Sequence, residues 1–230
     1  MPLIATRGAA SAQGFGEFAQ QSTVVQAEAI DYDGTNDYLS KTGSLTGSSA
    51  SKTFTFSCWM WLGPQISSTY PRLFKIGADN ITFFEVIWNG YSSGAGNIWI
   101  QARTSNSLDL NWQITPYQEF NNTWVNLLVS CDMSNPSNRF VYINDVSQGT
   151  SAFSNYNNAT LPFNTSTQYV AYEPVNVNYF KGRISNLFLD LTYRDLSVTA
   201  NRRLFITADL KPASGQAALN PIVYLTMADP

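Results

Sequence analysis

Two stretches of this chain alternate between apolar and polar side chains with the two-residue period of a half-buried strand. In residues 53–62, Phe54, Phe56, Cys58 and Met60 fall on one side, and Thr53, Thr55, Ser57 and Trp59 on the other. Residues 123–132, with Trp124, Val125, Leu127, Leu128, Val129 and Cys131, form the second strong run. Shorter runs predict further strands over 72–77, 81–88, 97–102, 139–144 and 182–191. Polar clusters at Asp33-Gly34, 89–96 and 133–138 read as the turns between them. Residues 147–168 are rich in Ser, Asn and Thr, and their weak periodicity predicts a long surface loop. One helix is predicted over 198–205, with Ser197 as its cap and Arg202 and Arg203 near the end where cations favour the dipole.

Many strands, abundant turns and one short late helix predict an all-β fold. The architecture expected is a two-sheet antiparallel sandwich of jelly-roll type with a short C-terminal helix. A length of 230 residues suits one such domain. The expected organisation is an N-terminal docking arm over 1–25, the sandwich over 26–210 and a C-terminal extension over 211–230. The arm is small-residue and glycine-rich, without strand or helix period. Its Leu3, Ile4, Arg7, Phe15 and Phe18 are candidates for docking onto a neighbouring subunit or onto the chain's own sandwich.

Composition narrows the partners. Charged residues are 13% of the chain, about half the usual share, so the polar surface is built mainly from Ser, Thr, Asn and Gln. That suits extracellular or virion β-proteins. A net charge of −3 supplies no basic surface for a phosphate backbone, which sets nucleic acid aside. No apolar run approaches the ~20 residues of a membrane-spanning helix. The opening residues lack the pattern of a secretion signal, so synthesis in a cytoplasm is expected. Cys58 and Cys131 are expected as buried free thiols, and Trp59 and Trp124 as core residues.

The chain contains no histidine. That excludes Ser-His-Asp and Cys-His machinery and any His-ligated metal. The glutamates Glu17, Glu28, Glu85, Glu119 and Glu173 are isolated from one another along the chain. A glycosidase site of closely spaced carboxylates on one strand is therefore missing, although carboxylates from separate strands could still meet. No catalytic residue is assigned. Two acidic groups could supply oxygens to calcium: Asp31, Asp33 and Asp37, and Asp132 with Asp145, expected to meet at one hairpin end. The competing reading makes Asp33 and Asn36 turn formers bonded to their own backbone. For a sugar, the candidates are aromatics in or near predicted loops: Trp88, Tyr91, Trp112, Tyr117 and Tyr156.

Four motifs, in order, carry a family resemblance. Residues 30–39, IDYDGTNDYL, are similar to an opening F-D-G-x-N-D-Y strand and turn. Residues 54–60, FTFSCWM, are similar to F-T-I-S-x-W-V. Residues 124–129, WVNLLV, with 140–145, FVYIND, are similar to W-x-H-V-A-V followed by V-Y-V-D-G. Residues 182–187, GRISNL, are similar to a closing G-x-I-D-E-V. Together they resemble the laminin-G-like members of the concanavalin A-like lectin superfamily. Asn144-Asp145 and Ser185-Asn186 depart from the pattern. The resemblance implies a lectin-like sandwich, and several members carry calcium; no other cofactor is implied.

Residues 3–16 and 221–225 are also similar to the ends of bacteriophage structural proteins carrying such a domain. This implies a non-enzymatic virion structural protein, a capsid decoration or a tail or fibre subunit. Its partners would be other virion proteins, copies of itself, and host-surface glycans. The alternatives are a free carbohydrate-binding adhesin and a polysaccharide-degrading enzyme.

Overall fold

The computed structural model describes residues 29–62, 70–90, 96–114, 122–149 and 153–226. Two large antiparallel sheets face one another. Sheet I runs β1 (Ile30–Asp33), β15 (Lys181–Asp190), β3 (Thr53–Leu62), β8 (Trp124–Asp132), β9 (Arg139–Ile143) and β10 (Val146–Ser147). The edge of β15 that meets β1 also takes β16 (Val223–Leu225). Sheet II runs β11 (Phe153–Tyr156), β7 (Ser107–Ile114), β6 (Gly96–Thr104), β5 (Phe83–Gly90), β4 (Arg72–Ile76), β12 (Thr167–Val170) and β2 (Leu39–Thr42). A short hairpin of β13 (Tyr172–Glu173) and β14 (Asn178–Tyr179) lies beside β4.

The core follows from strand alternation. Phe54, Phe56, Cys58 and Met60 of β3 are fully buried against Phe84, Val86 and Trp88 of β5 and Ile98, Ile100 and Ala102 of β6. The rings of Phe54, Phe84 and Phe163 meet at centroid distances of 5.0 to 5.5 Å, locking the sheets together. Cys58 and Cys131 are buried free thiols. They sit on adjacent strands but out of register, since Cys58 faces Leu127 and Cys131 faces Phe54. Four positions of offset is about 13 Å along a strand, beyond the reach of a disulfide.

Three expectations change. Residues 147–168 are not simply surface loop: β10 and β11 fall within or against them, and Leu161 and Phe163 are fully buried. Leu161 bonds Ser51 through both backbone groups, at 3.1 and 2.8 Å, which ties the crossover into the sandwich. Strand β7 is an addition, with Leu110, Trp112 and Ile114 buried and the polar Asn111 and Gln113 between them. Its alternation is regular, but its polar positions hide it from a reading based on apolar content. The helix is a single turn, Thr199–Arg202. Ser197 does not cap it, because its hydroxyl donates to Asp195 Oδ1 at 2.5 Å.

The outer face of sheet I is also covered. Leu128 and Phe188 of that face pack against Leu196 and Phe205 of the C-terminal segment. A β-bulge makes this possible. Ser185 faces Trp59 and Phe188 faces Ser57, so β15 places two residues where β3 has only Cys58. Asn186 takes a left-handed φ of 46° there. The bulge turns Leu187 inward and Phe188 outward, and it stands next to the site described below.

Candidate functional site

The far side of β3 begins as Thr53, Thr55 and Ser57 and ends as Trp59 and Trp61. Cross-strand partners share a face. One row therefore reads Asp31, Arg183, Trp61, Trp124 across β1, β15, β3 and β8. The next reads Ser185, Trp59, Asn126. Three tryptophans thus stand together on the outer face of sheet I. Trp59 and Trp124 are not sandwich core as their sequence positions suggest. Trp59 is covered from outside by the C-terminal segment, and Trp124 is 38% exposed.

Trp59, Trp124, Ser185, Leu210, Lys211 and Pro212 line a pocket of about 210 Å³. Its outer lip is a tight turn. Thr207 N–H donates to Lys211 O at 2.8 Å, Leu210 N–H to Thr207 O at 3.1 Å, and Lys211 N–H to Thr207 Oγ1 at 3.1 Å. A bridge between Ile206 and Pro212 closes the turn. Leu210 is held at φ 55°, a conformation that costs a bulky side chain free energy, and it is 49% exposed. Strain and an exposed apolar side chain coincide at the mouth of an aromatic pocket.

The pocket offers flat apolar surface with few polar groups. The Trp59 indole N–H is shut off from solvent and has no hydrogen-bond partner among the described residues, so Trp59 presents its ring. Ser185 Oγ accepts from Asn186 Nδ2 at 3.2 Å. Arg183 lies over Trp61 at 5.3 Å and pairs with Asp31 at 3.2 Å, an exposed and nearly neutral pair at the edge of the face.

Of the aromatics expected at a sugar site, Trp88 and Trp112 are core residues, 1% and 0% exposed. Strand alternation points both between the sheets, which rules them out as a contact surface. Tyr156 is half-buried; its hydroxyl donates to the carbonyl of Asp132 and its ring lies under Arg139 at 5.0 Å. Tyr91 and Tyr117 lie outside the described residues, as do Leu3, Ile4, Arg7, Phe15 and Phe18.

The acidic candidates do not assemble. Asp33 Oδ1 accepts from Thr35 N–H at 2.6 Å and Asp37 Oδ2 from Asp33 N–H at 3.3 Å, the local turn bonding of the competing reading. Asp31 is engaged with Arg183. Asp132 and Asp145 stand at opposite ends of β9, about 15 Å apart at strand rise. Hydrogen bonds from Ser134 hold the Asp132 carboxyl below its ordinary value, against some desolvation. Burial raises Asp145, but Arg203 and Arg202, at 2.8 and 2.5 Å, outweigh it and hold the carboxyl low. No group of three or more metal-ligating side chains forms among the described residues.

The opposite face, outside sheet II, holds a buried ion network that the sequence conceals. Glu85 and Glu173, isolated in the chain, meet over two cations. Arg72 Nε lies 3.0 Å from Glu85 Oε2 and 2.5 Å from Glu173 Oε2. Lys75 Nζ lies 3.2 and 3.4 Å from the same two carboxylates. All four residues are buried, and Val175 N–H adds a bond to Glu173 at 3.0 Å. The network pins the β13–β14 hairpin to β4. A catalytic carboxylate pair needs access to substrate and water; this pair is enclosed and neutralised. Beside it Tyr38 stacks on Tyr172 at 4.5 Å and Tyr172 on Tyr179 at 4.9 Å.

No family model matches the chain, and no curated protein matches it. Solved structures do. A heptameric SAP-like pentraxin from Limulus polyphemus superposes with a TM-score of 0.54 at 13% identity, covering 79% of this chain and 83% of that one. Domains LG4-5 of the mouse laminin alpha1 chain give 0.50 at 14%, covering 74% of this chain and 44% of that one. The enzymatically active domain of tailspike protein 2 from bacteriophage CBA120 gives 0.56 at 10%, covering 86% of this chain and 29% of that one. With the two seven-stranded antiparallel sheets, these likenesses show the fold: a two-sheet sandwich of the kind seen in the pentraxin and laminin structures.

Proposed function

We propose that this chain is a non-catalytic glycan-binding module of a bacteriophage virion, and that the glycan seats in the tryptophan pocket. The observation that carries the reading is the pocket between Trp59 and Trp124 beneath the strained Leu210 lip. Its volume falls below the ~300–1,000 Å³ typical of drug-sized ligands, so it suits one sugar ring rather than an extended molecule. Pyranose C–H faces pack on indole rings, and Trp124 is exposed enough to receive one. Enclosure of Glu85 and Glu173 speaks for binding over hydrolysis. The virion setting rests on the resemblance of residues 3–16 and 221–225 to phage structural proteins. In it the arm residues Leu3, Ile4, Arg7, Phe15 and Phe18 would contact other virion proteins or other copies of this chain.

The test is a titration of tryptophan fluorescence with neutral and acidic bacterial surface saccharides, on the full chain and on Trp124→Ala. Saturable quenching in the wild type that disappears in the variant supports the reading. Absence of saturable change with every saccharide, or quenching that Trp124→Ala leaves intact, overturns it. Mass-spectrometric detection of the chain in purified phage particles tests the virion setting.

A further inference from the structure

We infer that the tryptophan pocket selects a saccharide bearing a carboxylate, and that Lys211 is the group that recognises it. This deepens the glycan-binding reading and rests on it. Among the described residues Lys211 is the only charged one lining the pocket; the other lining side chains are two indoles, a serine hydroxyl, a leucine and a proline. A neutral sugar presents hydroxyls that donate as well as accept. Sites for such sugars need acceptors, typically a carboxylate or amide, to take those protons. Neither type lines this pocket among the described residues. The nearby acid on the same face, Asp31, is paired with Arg183 at 3.2 Å. Asn126, one strand from Trp59, is buried and does not line the pocket, so its amide oxygen is out of a ligand's reach.

The ammonium of Lys211 makes no ion pair within 4.0 Å among the described residues; Asp209, two positions earlier, neither pairs with it nor lines the pocket. Its backbone is fixed by both the N–H and the carbonyl bonds to Thr207, so the flexible side chain starts from a defined point on the lip. Lys211 is exposed, so its ammonium meets an anion at the solvent-facing rim of the pocket, as a charge-assisted hydrogen bond. The chain as a whole carries −3, so this positive point is local and not part of a basic surface. Stacking on tryptophan would hold the ring, and Lys211 would read the acid.

The experiment compares galacturonate, its methyl ester and galactose by calorimetric titration of the full chain at low and high salt. Expected is an acid affinity about tenfold or more above that of the ester, as one charge-assisted bond supplies. Lys211→Gln should bring the acid down to the level of the ester, Lys211→Arg should restore the preference, and added salt should shrink it in the wild type. Equal binding of acid and ester by the wild type, or a preference that survives Lys211→Gln, overturns this inference while the glycan reading stands. Failure of all three sugars, and of acidic and neutral polysaccharides built from them, overturns both.

Discussion

Trp61 and Trp124 are direct cross-strand partners on β3 and β8, and they share the outer face of sheet I with Trp59 rather than the core. This pairing makes a tryptophan surface from residues whose strands are otherwise read as packing. It also separates binding from stability. Trp124 is 38% exposed and Trp59 is 4% exposed. Trp124→Ala is therefore expected to cost little stability but remove ligand binding. Trp59→Ala should lose about 3–5 kcal/mol, the usual cost of truncating a large buried aromatic. Urea unfolding of the two variants, beside fluorescence titration, checks the contrast.

Leu210 occupies a left-handed conformation at the mouth of the pocket. Glycine adopts it without strain, so Leu210→Gly should leave stability within about 1 kcal/mol of wild type. The same change removes apolar surface from the lip and should weaken saccharide binding. A variant that is stable but binds undiminished would show that the lip takes no part.

The Arg72, Lys75, Glu85 and Glu173 network carries its charges in balance out of solvent. Removing one partner leaves a buried charge uncompensated, at a cost of about 3–5 kcal/mol. Glu173→Ala should show that loss in chemical denaturation and should raise hydrogen exchange in residues 172–179. Arg183→Ala, which breaks the exposed pair with Asp31, should change stability by less than about 1 kcal/mol.

Asp145 holds the 199–203 turn to the β9–β10 connection through Arg202 and Arg203. Its carboxyl is lowered in the folded state. The stabilisation is therefore complete above the unfolded value of about 3.9 and is lost as pH falls through the depressed folded value. Stability measured from pH 6 down to pH 2 should fall in that lower window, and Asp145→Asn should flatten this part of the profile.

Gly182 has φ 146°, and a β-carbon there would stand 2.3 Å from the carbonyl oxygen of Trp61. Gly182→Ala should force β15 away from β3, lower stability and disturb the tryptophan face at once. Near-ultraviolet circular dichroism in the tryptophan region reads that disturbance directly.

The sequence by itself determined the sandwich. Alternation in 53–62 and 123–132 dictates which side chains face inward, because a strand has only two sides. The same alternation already separated Trp59 from Phe54, Phe56, Cys58 and Met60; what it did not show is that the outer side would line a pocket. Strand β7 and the buried Leu161 and Phe163 were muted by polar neighbours. The expected Ser197 cap is missing because Asp195 takes the Ser197 hydroxyl, a local bond that propensity does not rank.

Only the tertiary structure decided the rest. Trp59 and Trp124 become a pocket when β3 and β8 pair and the 207–211 turn, far along the chain, closes over them. Glu85 and Glu173 become neighbours when the β13–β14 hairpin docks on β4. Asp132 and Asp145 part because β9 runs its full length between them. Periodicity is a local property of the backbone and survives in one dimension. A site is a meeting of residues from distant segments, and strand pairing with loop closure sets that meeting in three.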